Sequence, residues 1–256
     1  MSPLRISPVA PRLEARPVRH RIGLVALATD HTTEPDFARI LSPRGIGVYV
    51  NRVPYANPVT PETLRAMEPA LTEGARLILP DEALDAVVYG CTSASVVIGE
   101  GAVRDAIRRG KPGVHVITPV SATLAGLRAM GARRISVLTP YTRATSEPMA
   151  RLFEETGFDL ARFTCLDMQD DREMARIGPD SIVELAREAM APGSEALFIS
   201  CTAVRAAGVI DRIEAATGAP AISSNYAAAW AVLRHLGDPG PGAPGHLMTL
   251  PAAGAA

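Results

Sequence analysis

Lysine is almost absent from this 256-residue chain, in which Lys111 stands alone among 26 basic residues and the others are arginines. Enzymes that form a Schiff base with a substrate or with pyridoxal phosphate need a lysine nucleophile, so all such chemistry would rest on Lys111. Cysteine is also scarce, with three residues, too few for a disulfide framework. We therefore expect free thiols and a reducing, cytoplasmic compartment.

A charge excess and a long apolar run are missing as well. The 26 basic and 27 acidic residues leave a net charge of -1, which argues against nucleic acid or an anionic membrane surface as a partner. No apolar run approaches the ~18 residues of a transmembrane helix. Histidine and cysteine lack the spacings typical of metal ligands, such as CxxC or HExxH, so no metal is expected.

Short apolar runs alternate with helical patterns along residues 21–236. Helices are predicted over 61–79, with Thr60 as the N-cap, over 145–156 and over 181–190. Seven runs are nearly continuous, which is typical of strands buried on both faces of a parallel sheet. These runs cover 22–28, 45–50, 86–89, 114–117, 135–138, 196–199 and 220–222. The alternation predicts an α/β fold with parallel sheets.

Three stretches of sequence recur in the same order. The second copies begin 113, 110 and 106 residues after the first, which indicates a duplicated half of ~110 residues. The matched stretches begin at Arg21 and Arg134, at Asp85 and Glu195, and at Gly126 and Val232. Two such halves, related by a pseudo-two-fold axis, share one cleft between the carboxyl ends of their sheets, where open α/β sheets bind ligands.

The repeat sets the expected domain boundaries. We expect a first lobe over 21–118 together with 225–240, and a second lobe over 119–224. The segments 1–20 and 241–256, rich in proline with arginine or glycine, are expected to be a disordered extension and a disordered tail.

The repeat also places a Cys-Thr pair at equivalent strand ends. Cys91 precedes Thr92 and Ser93, and Cys201 precedes Thr202. At a strand-to-helix turn, backbone N–H groups lower a thiol pKa and bind carboxylates. Two thiols facing each other across a substrate suit proton transfer at carbon, or addition to a double bond. Alternatively, both are buried structural cysteines; Cys165, which has no counterpart, fits that description better.

Four stretches carry a resemblance to a known family: 90–93 (GCTS), Cys201 with Thr202, 137–141 (VLTPY) and 171–179 (DREMARIGP). Together they resemble the aspartate/glutamate racemase superfamily, and within it the maleate isomerase and arylmalonate decarboxylase branch. The resemblance implies two Rossmann-like lobes with parallel four-stranded sheets, an active site in the interlobe cleft, and neither metal nor organic cofactor. The segments 27–30 and 88–99 are most similar to ectoine-utilisation proteins.

The resemblance also implies residue roles. Cys91 would be the nucleophile and Cys201 the acid and base, as in maleate isomerases. A substrate carboxylate would be held by Thr92, Ser93, Thr202 and Tyr141. Racemases use both thiols as bases, so racemisation and cis-trans isomerisation both stay open. Arylmalonate decarboxylases keep only the second cysteine, which disfavours decarboxylation here.

Asp30 and Asp171 occupy positions where maleate isomerases carry asparagine. An ionised carboxylate repels a dicarboxylate, whereas it attracts an ammonium or amidinium group. If both residues face the cleft, a diamino acid or a cyclic amidine acid such as ectoine or hydroxyectoine fits better than maleate. Alternatively, Asp30 caps the turn at Thr32 and Asp171 caps the following helix.

Two classes of function follow. The first is a cofactor-independent isomerase or racemase acting on a small carboxylate, and the second is a non-catalytic ligand-binding module on the same scaffold. We expect a small-molecule partner and a homo-oligomer, dimeric or tetrameric. Asn225, at the end of the last predicted strand, either reaches the cleft or caps the following helix.

Overall fold

Two parallel four-stranded sheets frame the protein, described here from a computed structural model that covers residues 3–239 and 242–251. The first sheet contains β1 (His20–Leu27), β2 (Ile46–Val53), β3 (Ala86–Tyr89) and β4 (His115–Ile117), and the second contains β5 (Arg134–Tyr141), β6 (Asp159–Met168), β7 (Ala196–Ile199) and β8 (Ala221–Ser223). The strand orders are β2-β1-β3-β4 and β6-β5-β7-β8. The matching orders confirm the predicted α/β fold of two similar lobes.

Helices connect the strands throughout the described residues. They are α1 (Thr33–Leu41), α2 (Pro61–Arg65), α3 (Glu68–Arg76), α4 (Thr92–Ile98), α5 (Glu100–Gly110), α6 (Pro119–Ala129), α7 (Arg143–Glu155), α8 (Asp171–Met174), α9 (Pro179–Ala189), α10 (Ile210–Thr217) and α11 (Ser224–His235). Short 3-10 helices cover Ser42–Arg44, Arg205–Val209 and His246–Thr249. In the described part of the chain, no helix combines the length and apolar character that crossing a bilayer requires.

The central strands are apolar because helices cover both of their faces. All residues of β3 and β7 are buried, as are seven of the eight in β1 and in β5. The short edge strand β8 is buried as well. β1 pairs with β2 and β3, and β5 pairs in the same way with β6 and β7. Continuous burial removes the polar alternation of a half-exposed strand, which is why these strands were recognisable in the sequence.

Two local predictions differ from the structure. No continuous apolar run marks β6, because this edge strand has ten residues that are all exposed or half-buried. The helix predicted over 61–79 is two helices, since Pro69 in the first turn of α3 cannot continue a preceding helix. The predicted cap at Thr60 is present, with its hydroxyl accepting a hydrogen bond from the Thr63 N–H.

The two helices that contain the third repeated stretch, α6 and α11, lie where the lobes meet. They pack on each other, α6 also contacts α4 and β8, and α11 contacts α1 and β4 of the first lobe as well as β8 of the second. Each helix therefore touches elements of both lobes. This contact fixes how the carboxyl ends of the two sheets face each other; the exact lobe boundaries stay a prediction.

The two ends of the chain differ in how closely they pack against the two lobes. Residues 3–19 form no helix or strand and are almost entirely exposed. At the other end, the expected disorder differs from the structure over 242–251, where Leu247 and Met248 are buried. Trp230 and Arg234 both donate hydrogen bonds to the Leu250 carbonyl. The buried side chains of Leu247 and Met248 and the hydrogen-bonded Leu250 carbonyl therefore hold this segment against the protein. Residues 1–2, 240–241 and 252–256 lie outside the described residues.

Replacement of Leu247 by alanine tests this docking. We expect Leu247→Ala to lower the free energy of unfolding by about 2–5 kcal/mol, because a fully buried leucine leaves a cavity. Leu13→Ala is the matched control: this side chain is exposed, and its change should stay within about 0.5 kcal/mol. Urea unfolding measures both, and equal effects would contradict the docked tail.

Candidate active site

The carboxyl ends of β3 and β7 carry the two cysteines to one cavity between the lobes. Cys91 follows β3 and Cys201 follows β7, and both thiols line the same small cavity. Their charges are close enough to affect each other's ionisation. Of the eight predicted site residues, seven line this cavity; the exception is Thr92. The structure thus brings the predicted constellation together, while the individual roles stay predictions.

Cys91 lies at the start of a helix in an ordinary extended conformation. It is the N-cap of α4, with φ of -146°, and the Ala94 N–H in the first turn of that helix is near enough to lower the pKa of its thiol. The Ser93 hydroxyl lies 3.8 Å from the same sulfur. Burial raises the pKa of the thiol to about 11, although these two contacts oppose the rise. At neutral pH the thiol is therefore protonated, with donors in place for a thiolate once the proton leaves.

Cys201 adopts a backbone conformation that L residues rarely take. Its φ is 88°, which typically costs about 1–3 kcal/mol for a residue other than glycine. The Ala203 N–H donates to its sulfur at 3.3 Å, and the Tyr141 hydroxyl makes a second contact. Burial raises the pKa of this thiol to about 12, against those two contacts. A strained turn that presents a thiol to a cavity is typical of functional positions.

Hydroxyl groups link the environments of the two thiols. Tyr141, at the end of β5, is buried, and its hydroxyl contacts both Cys201 and Ser93. Burial raises the pKa of Tyr141 far above its usual value, so the phenol stays neutral and can donate a hydrogen bond. Ser93 contacts Cys91 in turn. A row of hydroxyls therefore runs from one thiol to the other along the cavity wall.

The two threonines that follow the cysteines differ in position. The Thr92 hydroxyl donates to the Ser224 hydroxyl at 2.8 Å, so it points to the start of α11. Thr202 lines the cavity, but its hydroxyl donates to the Gly90 carbonyl at 3.1 Å. Thr202 thus ties the two cysteine turns together, and Thr92 ties the Cys91 turn to α11. Carboxylate binding by either residue stays a prediction.

Asp30 caps a turn and also lines the cavity. Its Oδ1 accepts hydrogen bonds from the N–H groups of Thr32 at 2.7 Å and Thr33 at 2.9 Å. Its Oδ2 is buried and has no hydrogen-bond partner. A buried carboxylate oxygen without a donor is costly, since its desolvation is not compensated. The two interpretations of Asp30 are therefore compatible, and one of its oxygens is available to a ligand.

Asp171 has both oxygens occupied. Oδ1 accepts from Asn57 Nδ2 at 2.9 Å, and Oδ2 accepts from the Thr29 hydroxyl. The helix cap is the preceding residue, Asp170, whose side chain accepts the Arg172 N–H, so the expected capping role of Asp171 is wrong. Asp171 instead joins the loop after β1 to the loop after β2.

Residues 55–59, which we call the lid segment, close the cavity. Asn57 bonds to Asp171, the Val59 N–H donates to the Gln169 carbonyl at 2.8 Å, and Thr145 donates to the Val59 carbonyl at 3.0 Å. The cavity volume is about 20 Å³, close to what a single water needs. A substrate therefore requires the cavity to widen, and we expect the lid segment to move.

Tyr55 of the lid segment is a cavity residue that the sequence did not reveal. It lines the cavity, and burial raises its pKa, with Cys91 and Asp171 adding to the rise. Its phenol is therefore a neutral donor over the thiols. It lies in a loop without periodicity, so no sequence pattern marked it.

The cavity holds acidic groups and no basic ones. Among the described residues that line it, Asp30 and Asp171 are the charged ones, and none is arginine, lysine or histidine. Over the same described ranges, no three His, Cys, Asp or Glu side chains are grouped to bind a metal ion. Anions would have to bind through backbone N–H groups and hydroxyls.

Comparison with known proteins places this site in a family. A family model described as arylmalonate decarboxylase matches residues 59–248. The maleate isomerase of Nocardia farcinica is 30% identical over 229 residues, covering 86% of this chain and 91% of that protein. The arylmalonate decarboxylase of Bordetella bronchiseptica is 28% identical, with 83% and 85% covered.

The chain belongs to the arylmalonate decarboxylase and maleate isomerase family. A solved structure of the Nocardia farcinica maleate cis-trans isomerase, a cysteine-to-serine mutant with a covalently bound succinylcysteine intermediate, superimposes with a TM-score of 0.82. It is 26% identical, and the match covers 90% of this chain and 98% of that one. The family resemblance expected from the sequence is confirmed at this level.

Removing the hydrogen bonds of Asn57 tests whether the lid segment limits access to the cavity. We expect Asn57→Ala to speed alkylation of both Cys91 and Cys201 by about tenfold, because the lost hydrogen bonds to Asp170 and Asp171 favour opening. Asn51→Ala is the matched control, since it removes an amide-to-carbonyl hydrogen bond of 3.0 Å to Gly74 outside the cavity. Mass spectrometry of iodoacetamide-treated protein measures both thiols; unchanged rates in Asn57→Ala would refute the lid assignment.

Proposed function

We propose that this protein is a cofactor-independent isomerase or racemase that acts on a small carboxylate with the thiols of Cys91 and Cys201. The observation that carries the proposal is the presence of both thiols in one small interlobe cavity, each near a backbone N–H group. Two proton-active groups in one buried site suit chemistry at a carbon next to a carboxylate.

In cis-trans isomerisation, the Cys91 thiolate forms a carbon–sulfur bond to one alkene carbon. The electron pair moves to the other carbon, which takes the proton of the Cys201 thiol. The resulting single bond rotates. The Cys201 thiolate then removes that proton, the double bond re-forms, and the Cys91 thiolate leaves. The raised pKa keeps Cys201 protonated at neutral pH, so a proton is present for this transfer, although the thiol is a weak acid. Cys91 must first lose its own proton to solvent before it can attack, and the start of α4 favours its thiolate.

In racemisation, one thiolate removes the proton from the α-carbon and the other thiol delivers a proton to the opposite face. The electron pair rests meanwhile on the carboxylate, as an enediolate. Tyr141 and Ser93, as neutral hydroxyls beside the thiols, would donate hydrogen bonds to its oxygens. Decarboxylation through Cys201 and ligand binding without turnover are the other candidates.

Exchange of carbon-bound hydrogen with D₂O separates these candidates. With candidate diamino acids, ectoines and maleate, we expect exchange or isomerisation that falls at least about 10³-fold in both Cys91→Ser and Cys201→Ser, because a hydroxyl is a far weaker acid and nucleophile at neutral pH. Cys165→Ser, on the half-buried β6, is the matched control and should keep full activity. Full activity in both cavity variants would exclude the thiol mechanism, and binding without exchange would indicate a ligand-binding module.

The finer proposal concerns the substrate. We propose that it carries an ammonium or amidinium group beside its carboxylate, as in a diamino acid, ectoine or hydroxyectoine. The unpartnered Asp30 Oδ2 supports this, as does a lining without basic side chains. The resemblance of 27–30 and 88–99 to ectoine-utilisation proteins agrees with it. Maleate is the alternative, favoured by the relatives.

Removal of the Asp30 charge tests the substrate class. We expect Asp30→Asn to slow turnover of a cationic substrate by about 10–100-fold, since a charge-assisted hydrogen bond is lost, and to favour a dicarboxylate instead. Asp180→Asn, on exposed α9, is the control for a general loss of negative charge. Steady-state kinetics on both substrate types measure the preference; an unchanged preference would argue for a purely structural Asp30.

A further inference from the structure

A buried row of polar contacts runs from α1 to the turn at Cys201. Asn225, at the start of α11, is 2% exposed, and Asp36 of α1 is 4% exposed. Asn225 Nδ2 donates to Asp36 Oδ2 and to the Thr202 carbonyl, both at 2.9 Å. Arg39 donates to the other oxygen of Asp36 at 3.1 Å. The row thus ends on the residue that follows Cys201.

Asp36 determines which way the Asn225 amide points. A carboxylate and a carbonyl are both acceptors, so the side of the amide that faces them must be the NH₂ group. The Oδ1 on the other side meets the Thr33 hydroxyl, at 3.3 Å. With Asp36 in place, the Asn225 amide therefore cannot reverse without losing both strong bonds.

The Thr202 carbonyl and the Ala203 N–H belong to one peptide group. In a trans peptide, these two bonds point in opposite directions. Asn225 and the Thr32 hydroxyl hold the carbonyl from one side, and the N–H on the other side donates to the Cys201 sulfur at 3.3 Å. The hold on the carbonyl therefore aims the N–H at the thiol.

The first half of the repeat lacks this arrangement. The repeat aligns Pro119 with Asn225, and proline has no amide side chain. Cys91 has an ordinary φ of -146°, and the N–H group near its thiol is that of Ala94, in the first turn of α4. Only Cys201, with φ of 88°, needs support from outside its own turn. Cys91 can therefore serve as the internal reference when the reactivity of Cys201 is measured in the same molecule.

We propose that Asn225, oriented by Asp36, is a positioning residue that aims the Ala203 N–H at the Cys201 sulfur and so sets the reactivity of this thiol alone. The proposal rests on the proposed thiol chemistry for its functional meaning. Its physical content is independent of that chemistry, because thiol reactivity is measurable without a substrate.

The first test is the rate at which iodoacetamide alkylates each thiol between pH 7 and pH 10. In Asn225→Ala, we expect Cys201 to react about tenfold more slowly at each pH, equivalent to a pKa rise of about one unit, since the Thr32 hydroxyl alone holds the Thr202 carbonyl and aims the Ala203 N–H less well. Cys91 should keep its alkylation rate. Since both thiols line the same cavity, an unchanged rate at Cys91 shows that access of the reagent is unaltered. Tyr141, Cys91, Asp171 and Tyr55, the titratable groups that affect Cys201, are unchanged in this variant.

A double variant separates positioning from simple support of the fold. Asp36→Asn with Asn225→Asp preserves one amide-to-carboxylate hydrogen bond between positions 36 and 225, but sets a carboxylate oxygen against the Thr202 carbonyl. We expect a folded protein by circular dichroism in which Cys201 is slow and Cys91 is normal. Normal Cys201 rates in the double variant, or an equal loss at both thiols, would overturn the proposal.

Turnover gives a second readout once a substrate is known. We expect Asn225→Ala to lower kcat about tenfold with little change in KM, because the altered group acts on the thiol and does not line the cavity. Asn51→Ala again serves as the control. A Cys201 rate that falls without any effect on turnover would retain the positioning role and reject the thiol mechanism, so the two proposals fail separately.

Discussion

A hydrogen bond across the lobes joins the two cysteine turns: the hydroxyl of Thr202 donates to the carbonyl of Gly90 at 3.1 Å. Thr202 follows one thiol and Gly90 precedes the other, so this bond holds together the two strand ends that the packing of α6 on α11 brings face to face. The arrangement of the cavity depends on the separation of these strand ends. A substrate touched from two faces requires two groups placed independently of side-chain flexibility, and backbone anchoring provides this.

The duplicated scaffold carries two thiols that are not equivalent. Both sheets have the same strand order, yet Cys91 begins a regular helix whereas Cys201 lies in a strained turn followed by a 3-10 helix. The Ala94 N–H of a helix start is near one sulfur, and the Ala203 N–H of the turn donates to the other. The repeat thus gives the cleft its symmetry, while the two thiols differ in the backbone that surrounds them.

Much of this arrangement was readable in the sequence because burial leaves a pattern. Strands covered on both faces are continuous apolar runs, and the repeat located both cysteines at equivalent ends of such strands. The edge strand β6, Tyr55 and the tail at Leu247 left no comparable pattern, because each depends on contacts with distant residues. Asn225 was noticed only for its place in the chain; its partners Asp36 and Thr202 are 189 and 23 residues away, and only the fold brings them together.

The charges in the cavity constrain what the thiols can do. Burial raises the pKa of both, and two carboxylates nearby add to the cost of a thiolate. A dianionic ligand would increase that cost, whereas a ligand with a positive group next to Asp30 would reduce it, by pairing with the carboxylate and by stabilising the nearby thiolate. In that arrangement ligand binding itself activates the cysteines.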